Sequence, residues 1–261
     1  MAAVFRFSVD GDGELEPFIG KKEGDGKRMN FAPGSDNEGL NNPTGLDTDA
    51  QGRLYVADLF NNRVQIFSPE GKYLKTLPAG GATIVQVHKK TGALYLLHSG
   101  NVGGRSLGRI TKYTSFDALK EEFHLDFIYA KTFILDSWAS VPRLWLNGEI
   151  KDWGNAWSPP APDAVTILEE RDGRLVKLLN FDEEARKAAG ENYLGRWSGG
   201  VLDHVDCDPV REQLYYHAYR SDPWVFDLKT GKKLHRARMR NSINDISFDK
   251  RGYLHCHMDP G

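Results

Sequence analysis

The chain has 261 residues, of which 40% are hydrophobic and 27% charged, with a formal net charge of −2. Charge so near balance excludes the basic excess of a nucleic-acid binder. Two cysteines, Cys207 and Cys256, are too few for a disulfide scaffold, and no apolar run approaches the ~20 residues of a membrane helix.

The amino terminus, Met1 to Phe7, has neither the charged nor the apolar zone of a signal peptide and reads as a strand. An origin outside the cytoplasm stays open if a leader precedes it. Val4–Phe18 reads as a hairpin around Asp10-Gly11-Asp12-Gly13, because Asp-Gly between apolar runs favours tight reversal. Gly20–Asn42 is polar and glycine-rich and reads as a long loop. Four more hairpins are predicted downstream: Arg63–Leu77, Arg109–Phe123, Ala164–Leu179 and Trp224–Arg238. In Arg109–Phe123 the stretch Ser115–Leu119 also fits one helical turn. Asp182–Ala189 reads as a short helix, capped by Asp182 and stopped by Gly190.

Between these hairpins a second pattern recurs, a leucine followed by an aromatic residue or histidine. It begins at Leu54, Leu94, Leu144, Leu214 and Leu254. An apolar strand ending in a polar turn precedes most copies, as in Gly45–Asp49, Val85–His88, Val205–Asp208 and Ile246–Asp249. Two hairpins per period make a four-stranded antiparallel unit. Such a unit cannot cover both its faces alone, so it stacks on copies of itself around an axis. The predicted fold is therefore all-β: a β-propeller of four-stranded antiparallel blades, in one domain over residues 1–261. Two separate sandwiches are the alternative packing. Five blades are counted, one of them split between the termini; part of a six-bladed propeller is the other reading of that count, with the domain then incomplete.

Pro43–Asp58, continuing to Phe67, resembles an NHL repeat. The shared marks are Pro-x-Gly-Leu, a polar turn with glycine, Tyr-Val-Ala-Asp and Asn-Arg-Val-x-x-Phe. The resemblance implies a propeller, six-bladed in most of the family, whose members include protein-binding modules, RNA-binding modules and a few enzymes. Fold therefore does not determine function. Asp58, Asn62 and Arg63, the polar marks of the repeat, have a structural reading: the aspartate ending one strand holds the loop and pairs with the arginine opening the next.

Alignment on Asp49, Asp208 and Asp249 makes Thr44, Asp203 and Asn244 equivalent, followed by Gly45, His204 and Asp245. Second-strand ends add Asp58, His98, Asn147, His217 and His257. This ring is rich in imidazoles and carboxylates, the residue types that bind divalent metal. Asp203, His204, His217, Asn244, Asp245 and His257 are the candidate ligands, and Ca or Zn the candidate ion. His255 and His257 share a strand face while Cys256 faces the other way, so His-Cys-His is a poor compact site.

Two enzyme families supply analogies. Peptide-amidating lyases place His in the strand-opening Pro-His-Gly, where this chain has Thr44. Asn244–Gly252 is similar to a ligand segment of gluconolactonase-type propellers, but their opening Glu-Ser/Gly-Pro-x-Trp is absent. Complete motifs for serine hydrolases, P-loop or dinucleotide proteins and zincins are absent too. Trp153 and Trp157, in a loop after a second strand, join His98, Asn147 and Tyr216 as ligand-contact candidates. The expected function is non-catalytic binding of a protein, peptide or glycan through the loop-rich face. The alternative is a metal-dependent lactonase- or lyase-like enzyme acting at the channel mouth.

Overall fold

A computed structural model describes residues 2–6, 16–23, 30–102, 104–126, 128–150, 165–180, 202–208, 210–218, 222–228, 232–238, 243–248 and 251–258. The helix expected at Asp182–Ala189 lies outside them. The described strands run in chain order as β1 (Val4–Arg6), β2 (Glu16–Ile19), β3 (Lys21–Glu23), β4 (Asn30–Ala32), β5 (Pro43–Thr48), β6 (Leu54–Asp58), β7 (Arg63–Phe67) and β8 (Tyr73–Pro78). They continue as β9 (Ile84–Val87), β10 (Leu94–Val102), β11 (Arg105–Tyr113), β12 (Glu121–Asp126), β13 (Ile128–Leu135), β14 (Arg143–Ile150), β15 (Val165–Arg171) and β16 (Arg174–Asn180). The last six are β17 (Leu202–Asp208), β18 (Gln213–Ala218), β19 (Trp224–Asp227), β20 (Lys233–Arg236), β21 (Ile243–Phe248) and β22 (Leu254–Met258).

β5 to β8, β9 to β12, β13 to β16 and β17 to β20 form four-stranded sheets in which sequential strands are neighbours. These are the blades of a β-propeller. β1–β2, β3–β4 and β21–β22 are two-stranded sheets. The β3–β4 ladder corrects the expectation of a plain loop over Gly20–Asn42: Lys21 pairs with Ala32 and Glu23 with Asn30. Its physical basis is Phe31, which is buried and meets Phe5 edge to face at 5.3 Å. Ser115–Leu119 is a turn inside the β11–β12 hairpin, closed by the Leu119 N–H on the Ser115 carbonyl at 2.9 Å.

The chain divides into two units, which are taken separately: Met1–Leu144 with Ile150–Asp152 and Glu169–Val176, and Trp145–Glu149 with Trp153–Leu168 and Lys177–Gly261. In the first unit, β6 shows why the leucine-aromatic pattern recurs. All five of its residues are buried. Side chains alternate across a strand, so Leu54 and Val56 pack with Val4, Ile19 and Phe67 on one side. Tyr55 and Ala57 pack with Val85, Val87, Leu94 and Leu96 on the other. A second strand buried on both faces reads as a continuous apolar run. The second unit repeats the device: Leu214 and Phe226 pack with Val165 and Ile167, and Trp145 and Trp224 close the cluster.

Register ties the repeats together. Leu54 pairs with Thr48, Leu94 with Val87, Leu214 with Cys207 and Leu254 with Phe248. Three residues on, Ala57 pairs with Gly45, Leu97 with Ile84, His217 with His204 and His257 with Asp245. In three of these pairs of strands the register then slips, at Pro43/Gly45, Leu202/His204 and Ile243/Asp245. The slip leaves Thr44, Asp203 and Asn244 as the extra residue of a β-bulge.

Candidate functional site

The repeat's polar marks are explained by local bonding. Asp49 closes the turn between β5 and β6: its Oδ1 accepts the N–H groups of Gln51 and Arg53, both at 3.0 Å, and its Oδ2 accepts Arg53 Nε and the Tyr55 hydroxyl. Asp208 does the same between β17 and β18, accepting the N–H groups of Val210 at 2.9 Å and Arg211 at 3.0 Å and the Arg211 Nη1 at 2.6 Å. Burial opposes the Asp208 charge, but the Arg211 and backbone donors outweigh it and hold the carboxyl below its ordinary range.

Asp58, Arg63 and Asn62 organise the opposite end of the same sheet. Arg63 donates from Nε to Asp58 at 2.7 Å and from its terminal nitrogens to the carbonyls of Ser35, Asp36 and Gly39. Asp58 also accepts the Asn41 N–H at 2.6 Å and the Asn61 amide at 2.8 Å. Asn62 sits at φ 53° and ties down the next connection through Gly81 N–H at 3.0 Å. The structural reading of these three residues therefore holds, and the loop at residues 34–41 has its fixed shape because Arg63 reads three of its carbonyls.

Sequence reasoning grouped Asp58, His98, Asn147, His217 and His257 as one set of second-strand ends. The register separates them. Counted from each leucine, Asn147, His217 and His257 stand at the third residue and Asp58 and His98 at the fourth. The two groups therefore do not share one strand position. Trp153 and Trp157 lie outside the described residues. Tyr216 is placed in β18 opposite Trp224. Asp203, His204, Asn244, Asp245 and His257 are placed by strand register alone, in β17, β21 and β22. Among the described residues, no three His, Cys, Asp or Glu gather to hold a metal, and no helix is long and apolar enough to cross a membrane.

Two of the expected contact residues have an unusual bonding state. His98 Nε2 meets the Thr111 hydroxyl at 2.7 Å, while its Nδ1 is buried without a partner. Burial, and then the nearby Arg109 charge, push the His98 pKa down and favour the neutral ring. A neutral ring carries one N–H and one bare nitrogen; with either tautomer, one of its capabilities is unmet. The Asn147 Oδ1 is likewise buried without a partner. Phe60, which sequence reasoning passed over, is 64% exposed in the 3-10 turn Leu59–Asn61 that follows β6. Its signal was an aromatic at a loop tip directly after Tyr-Val-Ala-Asp. Also missed was the cluster of Lys112 with Glu170 at 2.7 Å and Glu122 at 2.9 Å, joined by the Tyr95 hydroxyl on Glu170. Burial works against the Lys112 charge, but both carboxylates overcome it and raise its pKa. Its hydrogen bonds are internal, which gives it a packing role.

Comparison with curated proteins finds no match. The family model of the NHL repeat matches residues 40–67, which contain the β5–β7 strands, the Asp49 turn and the Asp58–Arg63 pair. The chain is thus a β-propeller that carries an NHL repeat.

Proposed function

We propose that the chain is a non-catalytic NHL-repeat β-propeller that binds a protein, peptide or glycan through the loops following its second strands. The supporting observation is the unpartnered state of His98 Nδ1. His98 lies midway along the second strand β10, in the same unit as the exposed loop after β6. A buried polar atom without a partner costs about 1–3 kcal/mol, and a ligand donor removes that cost on binding. Phe60 adds an exposed aromatic at the equivalent loop of the NHL repeat, the residue type that anchors interfaces.

Peptide and glycan arrays probed with the full chain test this reading. Retained ligands are expected to lose about tenfold or more in affinity on Phe60→Ala or His98→Leu, a loss of about 1.4 kcal/mol. Arrays that retain nothing, or ligands indifferent to both substitutions, count against it.

A further inference from the structure

A cavity of about 680 Å3 opens in the first unit, a size inside the roughly 300–1,000 Å3 of small-molecule sites. Three segments line it: residues 18–21 where β2 meets β3, Asn37 and Glu38 in the loop before β5, and Phe67 with residues 71–73 in the β7–β8 hairpin. None of these residues belongs to a loop that follows a second strand, so the inference stands independently of the binding function proposed above.

The walls are fixed by the chain's own bonds. Arg63 holds the carbonyls of Ser35, Asp36 and Gly39, and Asp36 Oδ1 accepts the N–H groups of Glu38 at 3.2 Å and Gly39 at 2.8 Å. In the hairpin, Ser68 Oγ accepts the N–H groups of Glu70 at 3.2 Å and Lys72 at 3.3 Å. Gly71 turns at φ 83°, and a Cβ there would lie 3.2 Å from the Phe18 ring. The glycine thus lets the hairpin close against β2. A wall fixed before binding spares a ligand the cost of ordering it.

The lining has an apolar part and a polar part. Phe18 and Tyr73 are half-buried. Arg6 sits over the Phe18 ring at 4.8 Å, so Tyr73, braced edge to face by buried Phe67 at 6.4 Å, is the better platform for stacking. Asn37, Glu38 and Lys72 are exposed. Lys21 is engaged by Asp36, but among the described residues no hydrogen bond or ion pair engages the side chains of Asn37, Glu38 or Lys72. These three offer a carboxylate acceptor, an ammonium donor and an amide that does both. A cationic ligand meets Lys72 as a like charge, and an anionic one meets Glu38. A wholly apolar ligand strips water from polar groups and replaces none of it. A neutral ligand with many hydroxyls and one apolar face escapes each of these costs, since a hydroxyl both donates and accepts. We propose that this cavity binds a neutral saccharide, with its C–H face on Tyr73 beside Phe18 and its hydroxyls on Asn37, Glu38 and Lys72.

The test is saturation-transfer NMR on the full chain with maltotriose, cellotriose and triacetylchitotriose, followed by calorimetry on any that bind. At least one is expected to bind. Tyr73→Ala and Glu38→Gln should each weaken that binding about tenfold or more, the size of one lost contact to a charged or aromatic group. Lys120→Ala, at an exposed position outside the cavity, should leave it unchanged. Thermal unfolding identifies a variant that has lost its fold. Glu38→Gln alters only an exposed side chain and answers alone if Tyr73→Ala does not fold. Phenylalanine and inorganic phosphate are the charged controls. The proposal is overturned if no trisaccharide binds, if affinity is unchanged in either folded variant, or if a charged control binds more tightly than every trisaccharide.

Discussion

Asp58 and Arg63 form an ion pair whose aspartate side chain is fully buried and whose arginine is 11% exposed. Removing one member leaves the other charged, buried and unmatched. Arg63→Ala should therefore cost about 3–5 kcal/mol, read as a shifted midpoint in urea, and should also free the loop at residues 34–41. His98 makes a second prediction, on pH. Its folded pKa is depressed from 6.5, so well above 6.5 the ring is neutral in both the folded and the unfolded chain and carries no penalty. As pH falls below 6.5 the unfolded chain takes up the proton first, and stability drops until the folded pKa is passed. His98→Asn should flatten that part of the stability profile between pH 7.5 and 5.5; a profile identical to wild type would show that His98 is not the titrating group. The importance of Asp58 and Arg63 was legible in the sequence, because the pattern Asp followed by Asn-Arg sets an acid and a base at the ends of a hairpin. The unmet nitrogen of His98 was not legible, since it depends on which neighbour packs over the ring.

Elements were easier to read than their contacts. Apolar periodicity marked all five hairpins and Gly-containing turns four of them, Arg109–Phe123 having none, and the buried second strand was visible in Leu-Tyr-Val-Ala because a strand covered on both faces needs no polar alternation. The β3–β4 ladder was missed because Lys21-Lys22-Glu23 has no apolar pattern at all; it pairs through its backbone while Phe31, on the partner strand, supplies the packing. Bulges were also invisible, since a bulge is a property of two strands and only one is written in any segment. The spacing between neighbouring sheets is also measurable. Of the described glycines, the most crowded is Gly108, where a Cβ would fall 1.9 Å from the Ile128 carbonyl oxygen. That atom is backbone and cannot swing aside. Gly108→Ala should therefore destabilise by about 1–3 kcal/mol through overpacking. Gly80→Ala, with nothing within 4 Å of its Cβ, serves as the neutral control. Equal midpoints for the two variants would mean that β11 and β13 separate at no cost.

At the scale of the whole molecule the recurring unit is a sheet of four strands, whose inner and outer members differ in what their backbones meet. In the first unit β10 pairs with both β9 and β11 over residues 94–97, whereas among the described residues β8 pairs with β7 alone. An edge strand leaves a row of N–H groups without a ladder partner. In a strand paired on both edges every N–H has an acceptor, so amide hydrogen exchange on the full chain should show continuous protection over residues 94–97. Over residues 73–77, in the edge strand, protection should alternate. Alternating protection over residues 94–97 would show that β10 itself lies at an edge, and the four-stranded blade would have to be abandoned.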